Sequence, residues 1–211
     1  MAAPAGGWLA VKGKNGDAVL SALDLVRNEQ TSTHPRRGFA IALPSGWFVV
    51  VTRFASPLIA EESLRPLSHG CTVVTCAQDE QQLVSSATCY VDGIRSWHVE
   101  HDGQQDDTRH LSSRGSLPLA FDVIHARIES LQDKADAYGD DLDHFFTLPP
   151  ELAQSVTMFD DDVPCTAYGD VVFQGWTPVE TLTPGGKPQI PWNLRREMVK
   201  ARAARPWWKF W

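Results

Sequence analysis

Residues 83–103 read LVSSATCYVDGIRSWHVEHDG, and this stretch decides the fold class. Two runs rich in Val, Thr, Tyr, Ile and Trp flank Asp92-Gly93. Both central positions of a tight two-residue hairpin turn require positive φ, and Asp-Gly accommodates that at little steric cost. A hairpin pairs its strands antiparallel without a crossover helix, so the sheet is expected to be antiparallel. Alternate strand residues share a face. His98, Glu100 and Asp102 therefore line one side of the second strand, and Trp97, Val99 and His101 the other.

The same reading extends outward. GWLAVKG, closed by KNG, predicts a first strand, and Val19, Leu20, Leu23 and Val26 recur at helical spacing behind Asp17 as the expected N-cap. NEQTSTHPRRG is polar, broken by Pro35 and Gly38, and predicts a loop. FAIALPSGWFVVVTRF predicts a second hairpin about its Pro-Ser-Gly centre. SPLIAEESLRPLSHG carries Ser56 before Pro57 and ends at Gly70, the signature of a helix, shortened or bent at Pro66. CTVVTCA and TRHLSSRG supply further strands. In LAFDVIHARIESLQDKADAYG the period changes: Phe121, Ile124, Ile128 and Leu131 fall on one face of a helix that Gly139 closes. Another helix is expected in PPELAQSV, and a short strand at VVF. The class predicted is α+β: an antiparallel sheet with helices packed on one face, formed by residues 1–180, followed over 181–211 by a Pro/Gly-rich arm and a basic, aromatic tail.

Composition narrows the function. The 211 residues carry a formal charge of −7, yet Arg195, Arg196, Lys200, Arg202, Arg205 and Lys209 face only Glu197 at the end of the chain. The body is therefore more acidic than the whole. Such a body repels a phosphate backbone, which argues against nucleic acid as a partner. Neither a secretory signal nor an apolar run of the roughly 18 residues that span a bilayer is expected, so the reading is cytoplasmic. Four irregularly spaced cysteines, at 71, 76, 89 and 165, read as buried thiols rather than as a disulfide framework or zinc site.

Chemistry has few footholds. No G-x-S-x-G, P-loop or G-x-G-x-x-G frame is present. His69 next to Cys71 is too close in sequence to read as a dyad. His98 and Glu100, with His110 on the next strand, are weak metal candidates, weighed against a solvated strand face. GDDLDH and FDDDVP are rich in carboxylates but lack the spacing of a calcium loop, and no cofactor is expected. The ending ARAARPWWKFW leaves three readings open: docking on its own domain, a hook for a partner, or contact with a membrane surface.

W-x-A-V-x-G-K at the first strand, GWFVVV, LSHGCTVVTCAQDEQQLVSSA, DGIRSWHVEHDG and DHFFTLPPELAQSVTMF, in this order over residues 7 to about 160, resemble a family of uncharacterised bacterial cytosolic proteins of α+β type. The family pattern has an acidic V-E-E-H-V-type segment. Gln78, Asp79, Glu80, Gln81 and Gln82 stand there in this chain, so Gln81 or Gln82 replaces the patterned histidine. A catalytic role for that histidine would be lost here, and the resemblance transfers no activity.

These observations favour a binding protein over an enzyme. The reading is an immunity protein that occludes a bacterial toxin through Asp140, Asp141, Asp143, Asp160, Asp161 and Asp162, with Trp207, Trp208 and Trp211 as further contacts and the toxin's basic active-site surface as the partner. The alternatives are an enzyme with a metal-assisted site on the His98/Glu100 strand face and a membrane adaptor held by the tail.

Overall fold

In the computed structural model, which describes residues 6–105 and 109–179, the Asp92-Gly93 turn forms with both residues at positive φ, 49° and 79°. It joins strand β6 (Val84–Val91) to β7 (Ile94–Asp102), with Thr88 opposite His98 and a register shift after Cys89. Around this hairpin stand β1 (Gly6–Lys12), β2 (Leu25–Ser32), β3 (Phe39–Ala42), β4 (Trp47–Arg53), β5 (Thr72–Asp79), β8 (Ser112–Gly115) and β9 (Phe173–Pro178). Among the described residues they form one nine-stranded sheet in the order β2-β9-β3-β4-β1-β5-β6-β7-β8. Every neighbouring pair is antiparallel, as the hairpin chemistry predicts.

The helices correct one expectation: they cover both faces, not one. Trp8 and Ala10 of β1 point into a core shared with α3 (Phe121–Tyr138) and α4 (Leu148–Thr157), through Ile128, Leu148, Leu152 and Ala153. Leu9 and Val11 point the opposite way, against Val19 and Leu20 of α1 (Gly16–Ala22) and Leu64 and Leu67 of α2 (Glu61–Leu67). The cause lies in the central strands. GWLAV, WFVVV and TVVTCA are continuous apolar runs rather than alternations, and a strand apolar on both sides must be covered on both sides. Each fully buried large side chain there stabilises the fold by about 1.5–3 kcal/mol.

Three local expectations also shift. The polar stretch predicted as a loop is strand at its start, where residues 28–32 belong to β2, and irregular over 33–38 as expected; β2 is an edge strand paired only with β9, where one exposed face and one open edge permit Asn28, Glu29 and Gln30. The strand expected at VVF begins at its last residue and runs on to Pro178, inserted between β2 and β3. Asn15, not Asp17, caps α1, its side chain accepting from the Ala18 N–H at 2.8 Å. The α3 signals act as read: Gly139 closes it at φ 72°, and Phe121, Ile124, Ile128 and Leu131 pack on the sheet. Ser56 caps only the short 3-10 turn Pro57–Ile59, and α2 starts at Glu61 and ends at Leu67, short of Gly70. The expected arm and tail, residues 181–211, lie outside the described residues.

Candidate functional site

The register brings the acidic segments to one end of the sheet. Gly6, the start of β1, pairs with Gln78 near the end of β5 and with Arg53 at the end of β4, while Asp79 and Asp102 both pair with Val84 at the start of β6. The α3–α4 connection and residues 159–162 reach this same end.

The α3–α4 connection is positioned by a buried amide. Gln132 Nε2 donates to the Leu142 carbonyl at 2.9 Å, and its Oε1 accepts from the His144 N–H at 2.9 Å. Asp140 and Asp141 are left exposed, but Asp143 turns inward. One Asp143 carboxylate oxygen accepts from the Phe146 N–H at 3.1 Å, and the other meets Nε2 of His101 at 2.8 Å. The His101 side chain is 0% exposed and that of Asp143 only 11%. Nδ1 of His101 meets the His110 carbonyl at 2.8 Å, so both ring nitrogens face oxygens. Asp143 therefore fastens β7 to the α3–α4 connection and is removed from the set of surface carboxylates.

Asp160, Asp161 and Asp162 follow α4, which stops at Met158 in the left-handed conformation. Phe159 inserts into the core, edge-on to Trp8 with ring centroids 5.2 Å apart and stacked on Tyr168. The Tyr168 hydroxyl donates to the Asp160 carbonyl at 2.7 Å and accepts from the Asp160 N–H at 2.8 Å, which fixes the backbone. The Asp160 carboxylate accepts from the Asp162 N–H at 2.8 Å and from Gln154 Nε2 at 3.0 Å. Asp161 is half-buried between them. Burial, with the charges of Asp162 and Asp160, pushes its carboxyl up to about 6, against the pull of its own backbone N–H and of the Trp8 indole. That indole N–H is buried and meets no acceptor in good hydrogen-bond geometry among the described residues.

Two hollows share Gln78, Asp161 and Asp162 as a common wall. The larger, about 490 Å³, is bounded across from Asp161 by Arg36 and Arg37. The smaller, about 180 Å³, lies between Trp8, Phe159 and the first turns of α4. Sequence reading placed Trp8 in the first strand without a role, named Gln78 only within the resemblance, and passed over Arg36 and Arg37. Trp8 is 1% exposed and belongs to the core.

The strand face of His98 and Glu100 lines a third hollow, about 400 Å³, with Arg95, Asp102, His110 and Arg114. Its imidazoles are already engaged. His98 Nδ1 meets Thr88 Oγ1 at 2.8 Å and its Nε2 meets Glu100 at 3.1 Å, while His110 Nδ1 accepts from the Asp102 N–H at 3.1 Å. Among the described residues no three His, Cys, Asp or Glu side chains are grouped to hold a metal ion. The cysteines are all buried and free. Burial lifts the Cys89 thiol to about 11, and burial with the nearby Asp161 charge holds that of Cys76 well above its ordinary value. Neither is a ready nucleophile. Cys71 donates to the Leu67 carbonyl at 3.2 Å, while exposed His69 lies 3.9 Å from Asp92.

No helix among the described residues is long and apolar enough to cross a membrane. Trp207, Trp208 and Trp211 lie outside the described residues. Comparison of the chain with protein-family models, curated proteins and solved structures finds no match.

Proposed function

We propose that this protein is an immunity protein that binds a bacterial toxin and occludes its basic active-site surface with the acidic end of the sheet. The observation that carries this reading is the state of the carboxylates there. Asp140, Asp141, Asp161 and Asp162 have no cationic partner among the described residues, and Asp161 and Asp162 stand where β1 and β5 meet at one end of the sheet. Uncompensated charge on a rigid frame raises the association rate with a basic partner and sets the orientation of docking. The frame is rigid for stated reasons: Gln132 and the His101–Asp143 pair pin one acidic loop, and Tyr168 and Phe159 pin the other.

The test is co-expression with the product of the neighbouring gene. A complex that co-purifies, rescues growth, and weakens steeply between low and physiological salt is expected. Absence of both complex and rescue removes the reading.

A further inference from the structure

We infer that the open sheet face of β6, β7 and β8 carries a nucleophilic triad, Thr88–His98–Glu100, that cleaves a small acyl ester through an acyl-threonine intermediate. On this side of the sheet α1 and α2 pack over the central strands, and the register runs outward from their core. Leu9, Thr75, Thr88, His98 and Arg114 stand in one row across β1, β5, β6, β7 and β8, and Ser86, Glu100 and Ser112 stand in the next. Beyond β5 the row turns polar and partly exposed.

Two hydrogen bonds set the order of action. Glu100 meets Nε2 of His98 at 3.1 Å, and a carboxylate only accepts, so Nε2 carries the ring proton. Nδ1 is then the lone-pair nitrogen, and it accepts the hydroxyl proton of Thr88 at 2.8 Å. A hydroxyl held on a base that a third group orients is the arrangement that activates a nucleophile, whatever fold carries it. The two bonds that withdraw His98 from metal binding thus prepare it as a general base. Its side chain and that of Glu100 are only 20% and 15% exposed, which strengthens the attraction of the carboxylate for an imidazolium formed beside it.

His98, Glu100 and Arg114 line the hollow of about 400 Å³, and Arg114 stands opposite His98 on the side away from Thr88. With strands about 4.8 Å apart, Arg114 and Thr88 are separated by about 10 Å of backbone, which leaves room for an ester carbonyl over the imidazole between them. The guanidinium supplies positive charge where an oxyanion develops. Thr88 Oγ1 adds to the carbonyl carbon as its proton passes to His98 Nδ1. The bond from that carbon to the alkoxy oxygen then breaks, and His98 returns the proton to the departing alcohol. Water attacks the acyl-Thr88, giving one proton through His98 to Thr88 Oγ1, and the carboxylic acid leaves. Thr88 and His98 are catalytic residues, and Glu100 is a positioning residue.

The experiment gives the full chain p-nitrophenyl acetate, follows p-nitrophenol release, and maps the acetylated residue by peptide mass spectrometry after an acid quench. Turnover with acetyl-Thr88 is expected, retained in Thr88→Ser and lowered about a hundredfold or more in Thr88→Val and His98→Gln. Glu100→Gln should lower kcat about tenfold or more with KM within about twofold, a split that a merely structural role would not produce. Hydrolysis no faster than in buffer, acetylation of lysines alone, or Thr88→Val turning over as the wild type overturns the triad. Far-ultraviolet circular dichroism checks each variant. Should one fail to fold, a fluorophosphonate probe on the wild type decides: labelled Thr88 supports the assignment, and an unlabelled Thr88 overturns it. No toxin enters the assay, so this activity and the immunity reading stand or fall separately.

Discussion

Replacing Asp161 by asparagine should make the free protein more stable at neutral pH, and the gain should vanish in acid. The folded carboxyl keeps its proton up to about pH 6, whereas an ordinary aspartate releases it near 3.8. Between these values the folded state binds more protons than the unfolded one, so stability falls as pH rises through that window. Below about pH 4 both states are protonated and Asp161 costs nothing. Above about pH 6 the loss is complete. At about 1.36 kcal/mol per unit, the displacement sets an upper bound of about 3 kcal/mol, and partial contact with solvent reduces it to about 1–2 kcal/mol. Asparagine keeps the shape and an oxygen that can face the Trp8 N–H, but carries no charge to desolvate. Urea unfolding of wild type and variant at pH 4, 5, 6 and 7.5, followed by far-ultraviolet circular dichroism, isolates this difference because every other titrating group is common to both. A variant no more stable than wild type at pH 7.5, or an advantage that persists undiminished at pH 4, would refute the argument from burial.

Other outcomes follow from the same geometry. Asp143→Ala or His101→Ala should each cost about 3–5 kcal/mol, because each leaves a buried partner uncompensated, and the double variant should cost clearly less than the sum; additive losses in a denaturation cycle would show that the two side chains do not act as a pair. Gly115 on the edge strand β8 has φ 83°, and a Cβ there would collide with the Ser96 carbonyl, so Gly115→Ala should destabilise by about 1–3 kcal/mol; a variant within experimental error of wild type would contradict the close approach. The four buried thiols should stay unreactive toward a disulfide reagent at pH 8 in the folded protein and all react in denaturant, and fast modification of Cys76 or Cys89 in the native state would count against the packing described.

How much of this was legible in the sequence depended on how local the cause was. The β6–β7 hairpin could be read because its turn chemistry sits within two residues, and α3 because four apolar positions and a terminal glycine repeat one period. Strand β2 could not, since its partner β9 lies well over a hundred residues away and an edge strand with a wet face has no apolar alternation to display. The placement of helices on both faces was implicit in the unbroken apolar runs of β1, β4 and β5, but only the pairing order shows that these three strands lie side by side. At the site, the aspartates at 140–143 and 160–162 stood out by composition, while their fates did not. What separates Asp143 from its neighbours is His101, on a strand 42 positions away.

Asp143 and Asp161 make the decisive comparison, because the same residue type in the same acidic region meets burial in two different ways. Asp143 is matched by an imidazole at 2.8 Å and a backbone N–H at 3.1 Å, and its desolvation is offset inside the fold. Asp161 is taken partly out of water between two further carboxylates, beside the Trp8 indole, in the wall of a hollow. A residue retained only for stability has no reason to be an acid there, since the uncharged isostere avoids the penalty above pH 6. A carboxylate held in an unfavourable environment, by a backbone that Tyr168 and Phe159 keep from relaxing, has no compensating cation among the described residues. A counter-charge that binds there should lower the proton affinity of Asp161 as it docks, and the complex should release protons between about pH 5 and 7.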